Sequence, residues 1–391
     1  MKFSKSSSRV LILSHFLLNP IKNDSAASTA IRNYLLNKTK KIVQIEQPFL
    51  ESKVRYFYKL AFVDGKEVSE KKLKVVKSPL WVAYLLHSLI AFFEVFITST
   101  KFDIAIACEN LSFLAALPLR KIGIIKKLVY YSVDYVPERF GNPLVNSVYH
   151  LLDRLACYHS DVNWVVSKEQ ITTRFANGVK ENKSSPFNIV PIGYRLSEIE
   201  VKPFNQIKYY NLIFVGTVRP AAGPQLIVEA MSKIVKRFPN VKVTFAGGGE
   251  YTNELKNLAK KLKVTKHLEF LGYIDRHKDL IKAVADKSIG LAPYVWDSKS
   301  ISMTSDPAKI KIYLACGLPV ITTKVATSWP IISKSKSGIV VDYDRDQLVR
   351  AVGEMLKSKN KYKKFKINAI NLSKKYDVDR IVGNALNRIP D

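Results

Sequence analysis

Cysteine is scarce and unpatterned in this chain. Cys108, Cys157 and Cys316 are its only three, far apart, with no C-x-x-C pair and no metal-like histidine spacing. That argues against a disulfide framework or a zinc site and for ordinary buried thiols in a reducing compartment. A cleavable leader is not expected either. Basic, Ser-rich residues 1–9 run into Val10-Leu11-Ile12-Leu13 and then Ser14, His15 and Pro20, with no small-residue cleavage site, so the run reads as a first strand. No short-period repeat is present, which removes a solenoid, and no RNA- or DNA-binding motif is present, which ranks nucleic acid low among partners. Long apolar runs are limited to Leu80–Thr98. His87 and Glu94 interrupt it and Pro79 opens it like a first-turn proline, so it reads as a buried or membrane-touching helix.

Acidic residues are in short supply: 33 Asp and Glu against 62 Lys and Arg, a formal net charge of +29. Such a surplus favours anionic partners. The lysines are spread along the whole chain, however, so ordinary solubilising charge accounts for them equally well. With 391 residues, 47% of them hydrophobic, the chain has material for two folded α/β domains.

Short apolar runs alternate with amphipathic stretches almost throughout, the pattern of parallel sheets covered by helices on both faces. Strands are expected at 10–13, 42–45, 104–108, 128–133, 164–166 and 189–191, with helices at 25–36, 80–98, 111–120, 143–159 and 168–175. Asp64-Gly65 divides two extended runs and suggests a hairpin insertion. Residues 196–210 lose periodicity and read as a linker. The alternation then restarts with strands at 212–215, 241–246, 268–271, 289–292, 320–323 and 339–341, and helices alone occupy 344–389. The domains are placed at 1–200 and 208–375, with 376–391 as a terminal helix packing back on the first.

Three features of the second half fall at the carboxyl ends of its strands, where open α/β sheets bind ligands. The first is the loop Gly216-Thr217-Val218-Arg219-Pro220-Ala221-Ala222-Gly223, and the second is Ala246-Gly247-Gly248-Gly249-Glu250. Glycines let the backbone approach a phosphate, and an arginine beside a helix start supplies charge; glycine after a strand is also common turn chemistry. The third follows Tyr294: Asp306-Pro307 reads as an N-cap and first-turn proline, placing Lys309 and Lys311 at the positive end of a helix dipole. Lysines there disfavour the helix unless an anion is bound; two solvated lysines are the plain alternative.

The order of these loops, Phe270-Leu271-Gly272-Tyr273-Ile274, Leu291-Ala292-Pro293-Tyr294, Pro307-x-Lys309 and Gly317-Leu318-Pro319-Val320-Ile321 resembles the second domain of the group 1 (family 4-like) glycosyltransferases over residues 211–345. In the first half, Tyr131–Phe140 and Val190-Pro191-Ile192-Gly193 are similar to the acceptor-domain landmarks of that group. The resemblance implies a GT-B fold, two Rossmann-like doubly wound parallel-sheet domains facing a cleft. It implies transfer of a sugar from a nucleotide-diphosphate sugar to a glycan or lipid-linked acceptor in cell-surface polysaccharide or glycoconjugate synthesis. On the matching positions, Gly216 and Arg219 would face the donor phosphates and Lys309 would pair with the diphosphate. Gly248 and Tyr273 would border the base, and Tyr294, Asp306 and Lys311 complete the donor set.

In such an enzyme the first domain faces the reacting sugar. Asp134, ending the 128–133 strand, is the candidate base, although a turn-forming role before Pro137 is equally open. His15 is the second catalytic candidate. Glu109 and Arg139 are the acceptor-binding ones, Arg139 either holding an anionic acceptor or neutralising Glu138. A true base at Asp134 suits inversion, whereas the resemblance leans toward retention. Domain closure would bring Asp134 and His15 opposite Lys309. The expectation is a hexosyltransferase-like enzyme with no metal and no cofactor beyond the donor, because Arg219, Lys309 and a helix terminus can neutralise the leaving diphosphate. It would be cytoplasmic and peripheral on an anionic membrane surface. Thr304 and Ile312 stand where many relatives carry glutamates, and Ala222 where a lysine is usual. Those departures leave open a non-catalytic GT-B homologue serving as a binding subunit or scaffold.

Overall fold

A computed structural model describes residues 7–16, 27–49, 54–75, 80–296, 304, 306–325 and 327–390. The chain divides into two compact units, residues 1–191 with 381–391, and residues 192–380. The division at Pro191/Ile192 precedes the 196–210 stretch read as a linker. That stretch belongs to the second unit because Tyr194 bridges Asp377, and Ile199 and Ile207 are buried in that unit's own cores.

The first unit contains β1 (Arg9–Phe16), α1 (Ala27–Leu35), β2 (Lys41–Pro48), β3 (Tyr56–Val63), β4 (Lys66–Lys74), α2 (Leu80–Phe96), β5 (Phe102–Cys108) and α3 (Asn110–Lys121). It continues through β6 (Ile125–Ser132), α4 (Pro143–His159), β7 (Val162–Val165), α5 (Lys168–Ala176) and β8 (Phe187–Ile189). Its sheet runs β4-β3-β2-β1-β5-β6-β7-β8, parallel from β2 to β8, with β3 antiparallel to both β2 and β4. That hairpin turns at Asp64 (φ 50°) and Gly65 (φ 79°), the two successive left-handed residues that an Asp-Gly turn supplies. β8 begins two residues earlier than the sequence suggests, and the first two residues of the helix expected at 25–36 lie outside the described residues.

The second unit contains β9 (Asn211–Val215), α6 (Pro224–Arg237), β10 (Lys242–Ala246), α7 (Thr252–Lys261), β11 (Leu268–Gly272), α8 (His277–Ala285), β12 (Ile289–Ala292) and α9 (Ala308–Ala315). Then come β13 (Val320–Thr323), α10 (Trp329–Ser335), β14 (Gly338–Val341), α11 (Arg345–Leu356), α12 (Lys359–Ser373) and α13 (Val378–Asn387), whose last residues fall in the first unit. All six strands are parallel, in the order β11-β10-β9-β12-β13-β14. Both faces of the sheet are covered. Leu212 and Phe214 enter one core with α6 and α11, while Ile213 and Val215 enter the other with α9. A strand buried on both sides has to read as a continuous apolar run.

Chain order reverses between β1 and β5 in one sheet and between β9 and β12 in the other. At such switch points the connecting helices leave toward opposite faces and a crevice opens beyond the strands' carboxyl ends. Among the described residues no helix is long and apolar enough to cross a membrane.

Candidate functional site

In the second unit the switch point is built from glycine backbone. Gly216 ends β9 at φ 114° and its N–H donates to Ala246 O at 3.0 Å. Val218 N–H then donates to Gly248 O at 3.0 Å, and Tyr251 N–H to Val218 O at 3.3 Å. These bonds stitch the loop after β9 to the loop after β10. The approach is too close for side chains. A Cβ on Gly247, at φ 151°, would lie 2.0 Å from Gly216 O, and one on Gly223 would lie 1.7 Å from Pro293 O. Gly248 and Tyr273 are neighbours, with a Cβ on Gly248 falling 3.8 Å from Tyr273 N. The Tyr273 ring stands exposed at the edge of the loop cluster.

Helix α9 delivers the charge. Tyr313 fixes its register: the ring fills the space left by the missing side chain of Gly290, the hydroxyl accepts Val215 N–H at 2.7 Å and it donates to Leu291 O at 3.2 Å. One turn earlier on the same face, Lys309 reaches the end of β9. Its Nζ lies 4.1 Å from the Phe214 ring centroid and 4.9 Å from that of Tyr294, and 3.5 Å from where a Gly216 Cβ would be. Burial, and then the Arg219 charge, bring its pKa down to about 7. Among the described residues no carboxylate pairs with Lys309 or with the Arg219 guanidinium. Two cations held near each other without an anion are electrostatically unfavourable, and a bound diphosphate reverses that.

Lys311 does not join them. Two residues along a helix is more than half a turn, so its side chain points away from Lys309. Its buried Nζ pairs with Asp306 at 2.5 Å and lies 3.3 Å from the Tyr376 ring centroid. Asp306 is likewise engaged internally, accepting Ile192 N–H at 3.0 Å, and it does not cap α9, whose N-cap is Pro307 without a side-chain bond. The carboxylate answers the buried ammonium instead of the helix terminus. Lys311 and Asp306 therefore tie the start of this unit to α9 and leave the anion-facing set. Ile312 is fully buried in the core beside α9, and Thr304 is buried as well.

In the first unit the switch point is built from side chains. Glu109, just beyond β5, takes φ 68° and its Oε1 accepts the N–H groups of Val133 and Asp134 at 2.8 and 3.1 Å. One carboxylate thereby couples the ends of β5 and β6. The Asp134 loop is held from behind by Gln170, whose amide donates to Val133 O at 2.9 Å. A buried Arg174–Asp153 pair at 3.0 Å, bonded also to Ser132 and Tyr130, anchors α4 and α5 against β6. Arg139 Nη1 donates to Asp134 O at 3.2 Å.

Asp134 is open to solvent on one side and enclosed by protein on the others. That enclosure raises its carboxyl pKa, with Arg139 opposing. Burial and the Asp134 charge raise Glu109 in turn. His15, ending β1, meets Ser112 Oγ through Nδ1 at 3.1 Å and the Phe49 ring at 5.3 Å. Burial lowers its pKa to about 3, so it is a neutral hydrogen-bonding group and not a proton reservoir near pH 7. His15, Glu109 and Arg139 line one cavity of about 510 Å³, and Asp134 sits beside it through its bonds to Glu109 and Arg139.

Sequence reasoning missed Tyr313, Ser112, Gln170 and the cavity walls. Only Gly290, a small residue inside an apolar strand, signalled that a large ring sits across from it.

Residues 197–372, nearly the whole second unit, match the family model for "Glycosyl transferases group 1". The second unit is a group 1 glycosyltransferase domain. Spore coat protein SA of Bacillus subtilis is 27% identical over 160 residues, 38% of this chain and 40% of that one. The GDP-mannose-dependent alpha-(1-6)-phosphatidylinositol monomannoside mannosyltransferase of Mycolicibacterium smegmatis is 27% identical over 151 residues, 37% and 38% of the two chains. Each match thus spans about two-fifths of the relative's length. In fold the likeness covers both units. Sucrose-phosphate synthase from Thermosynechococcus elongatus superposes with a TM-score of 0.69 at 13% identity, over 97% of this chain and 98% of that one. Anabaena HepE in complex with UDP-glucose gives 0.68 at 14% identity, over 97% and 99%. The chain thus has the GT-B pair of parallel-sheet domains.

Proposed function

We propose that this glycosyltransferase moves a hexose from a nucleotide-diphosphate sugar to an acceptor hydroxyl in the synthesis of a surface glycan or glycoconjugate, the second unit holding the donor and the first the acceptor. The observation that carries the reading is the meeting of Lys309 and Arg219, without an acidic partner among the described residues, at glycine backbone that side chains would obstruct. UDP-glucose in the HepE structure and the GDP-mannose dependence of the mycobacterial relative support a sugar nucleotide as the donor class.

Gly216, Gly248 and Arg219 meet the donor from the loops, Lys309 pairs with its diphosphate, and Tyr273 and Tyr294 border it. Positive charge already in place where the leaving diphosphate develops negative charge lowers the barrier and makes a metal unnecessary. Asp134, with its raised pKa, takes the proton of the acceptor hydroxyl while Glu109, Arg139 and neutral His15 orient it. Three buried free cysteines support a cytoplasmic location, and the net charge of +29 supports a peripheral one at an anionic membrane surface.

The test is a thermal-shift panel of UDP-, GDP-, ADP- and TDP-sugars against the protein and its Lys309→Ala variant. Stabilisation by one nucleotide class that is lost in the variant is expected; a panel without any shift overturns the donor site. The burial of Ile312 and Thr304, where relatives carry glutamates, favours one second reading, a non-catalytic homologue that acts as a binding subunit. Donor binding without release of nucleoside diphosphate would select it.

A further inference from the structure

The cavity beyond β1, β5 and β6 has two unlike ends. His15, Glu109 and Arg139 supply the polar end. Leu85 of α2, Leu111 and Leu114 of α3, and Val145, Val148 and Leu152 of α4 make an aliphatic stretch of the wall, and aromatic rings with Asn110 complete it. Aliphatic side chains offer sugar hydroxyls nothing, and each hydroxyl left without a partner costs about 1–3 kcal/mol. The volume of about 510 Å³ is ample for one ring and several further carbons. The apolar surface continues outside the cavity. Leu89 and Phe93 on α2 are 52% and 56% exposed, and Leu144 and Leu151 on α4 are 78% and 48% exposed. Contiguous apolar surface of this kind marks a binding surface.

From this geometry we infer that the acceptor is an amphiphile: one hydroxyl-bearing head at the polar end, and an apolar chain along the α3–α4 wall that leaves past α2. The inference rests on the reading of the first unit as the acceptor side. Charge selects the head. In the cavity wall one carboxyl group, Glu109, stands with one guanidinium, Arg139, so no surplus cation is offered to an anionic head and a neutral sugar or polyol is favoured. Neutral His15, with Nε2 unpartnered among the described residues, is a hydrogen-bonding group suited to such hydroxyls.

The experiment is calorimetric titration of the full chain, without nucleotide, with methyl, hexyl, octyl and decyl glucoside below their micelle concentrations, and with decyl phosphate. Affinity should rise about three- to fourfold for each added methylene that enters the cavity, and decyl glucoside should bind more tightly than decyl phosphate. Val148 is half-exposed on the α4 wall, so Val148→Asp should fold normally and flatten the chain-length dependence. Leu144→Asp, outside the cavity, should leave that dependence intact. Equal affinity for methyl and decyl glucoside overturns the inference, as does a chain-length dependence that survives Val148→Asp. A tighter grip on decyl phosphate overturns the neutral head. The donor panel is read separately. Donor binding with a flat alkyl series leaves a transferase for water-soluble acceptors, whereas a steep alkyl series with no donor leaves a lipid-binding module.

Discussion

The second unit offers a ligand backbone: glycines at 216, 247 and 248, loops stitched by main-chain bonds, and two cations added from Arg219 and α9. The first unit offers side chains, a carboxylate clamp at Glu109, an Asp134 with raised pKa and leucine and valine walls. Both sheets present a switch point, so the fold supplies the place twice and the residues supply two chemistries. A backbone cradle suits a group that every donor shares, the diphosphate. A side-chain cavity suits the partner that differs from one transferase to the next.

The contrast is broken most forcefully at Asp134. If proton transfer belongs to the first unit alone, Asp134→Asn should lower nucleoside diphosphate release, with water as acceptor, by about 10²–10⁴-fold. Donor binding should be unchanged. The acid limb of the wild-type rate profile should lie above the ordinary aspartate range, because the carboxyl must lose its proton to act and its pKa is raised. A near-normal rate in the variant would return Asp134 to a turn-forming role. The mirror experiment is smaller. Arg219→Ala should weaken sugar-nucleotide binding about ten- to hundredfold, the worth of a charge-assisted hydrogen bond, without altering alkyl glucoside binding. An effect on both ligands would mean that the two sites are not separate.

Legibility in the sequence follows the same line. Strands buried on both faces, such as β9, announce themselves as apolar runs, and glycines at strand ends announce close backbone approach. The second unit and its motifs were therefore readable. Misreadings came where tertiary partners overrode a local signal. Asp306-Pro307 has the form of a helix start, yet a buried ammonium at Lys311 claims the carboxylate. Lys309 and Lys311 look like a pair in sequence, while helical geometry turns them apart. The first unit's cavity was hidden for a different reason. Leu85, Val148 and Leu152 have the spacing of core residues, and only the packing of α2 and α4 decides that they face a void. His15 and Glu109 could be placed at strand ends, but the neutrality of one and the clamp made by the other depend on what surrounds them.

The smallest effect tests the electrostatics of the cradle itself. Lys309 has a pKa of about 7, below the ordinary lysine value, because burial and Arg219 both disfavour its charged form. A diphosphate favours that form, so binding draws a proton onto the lysine wherever the empty protein lacks it. The sign follows directly. Affinity is greatest below pH 7, where the ammonium is already present, and weakens by up to about tenfold per unit as pH rises above it. Calorimetry at pH 8 in buffers of different ionisation enthalpy should detect net proton uptake when the sugar nucleotide binds, from the fraction of Lys309 that is neutral there. The diphosphate of a sugar nucleotide does not titrate near neutrality, and Lys309→Ala should remove the uptake. Alkyl glucoside binding does not involve Lys309, so its proton exchange should be unchanged in Lys309→Ala. Loss of uptake for the sugar nucleotide alone would separate the two sites by charge. Zero uptake with the sugar nucleotide would mean that Lys309 already carries its proton and that its burial does not tune it.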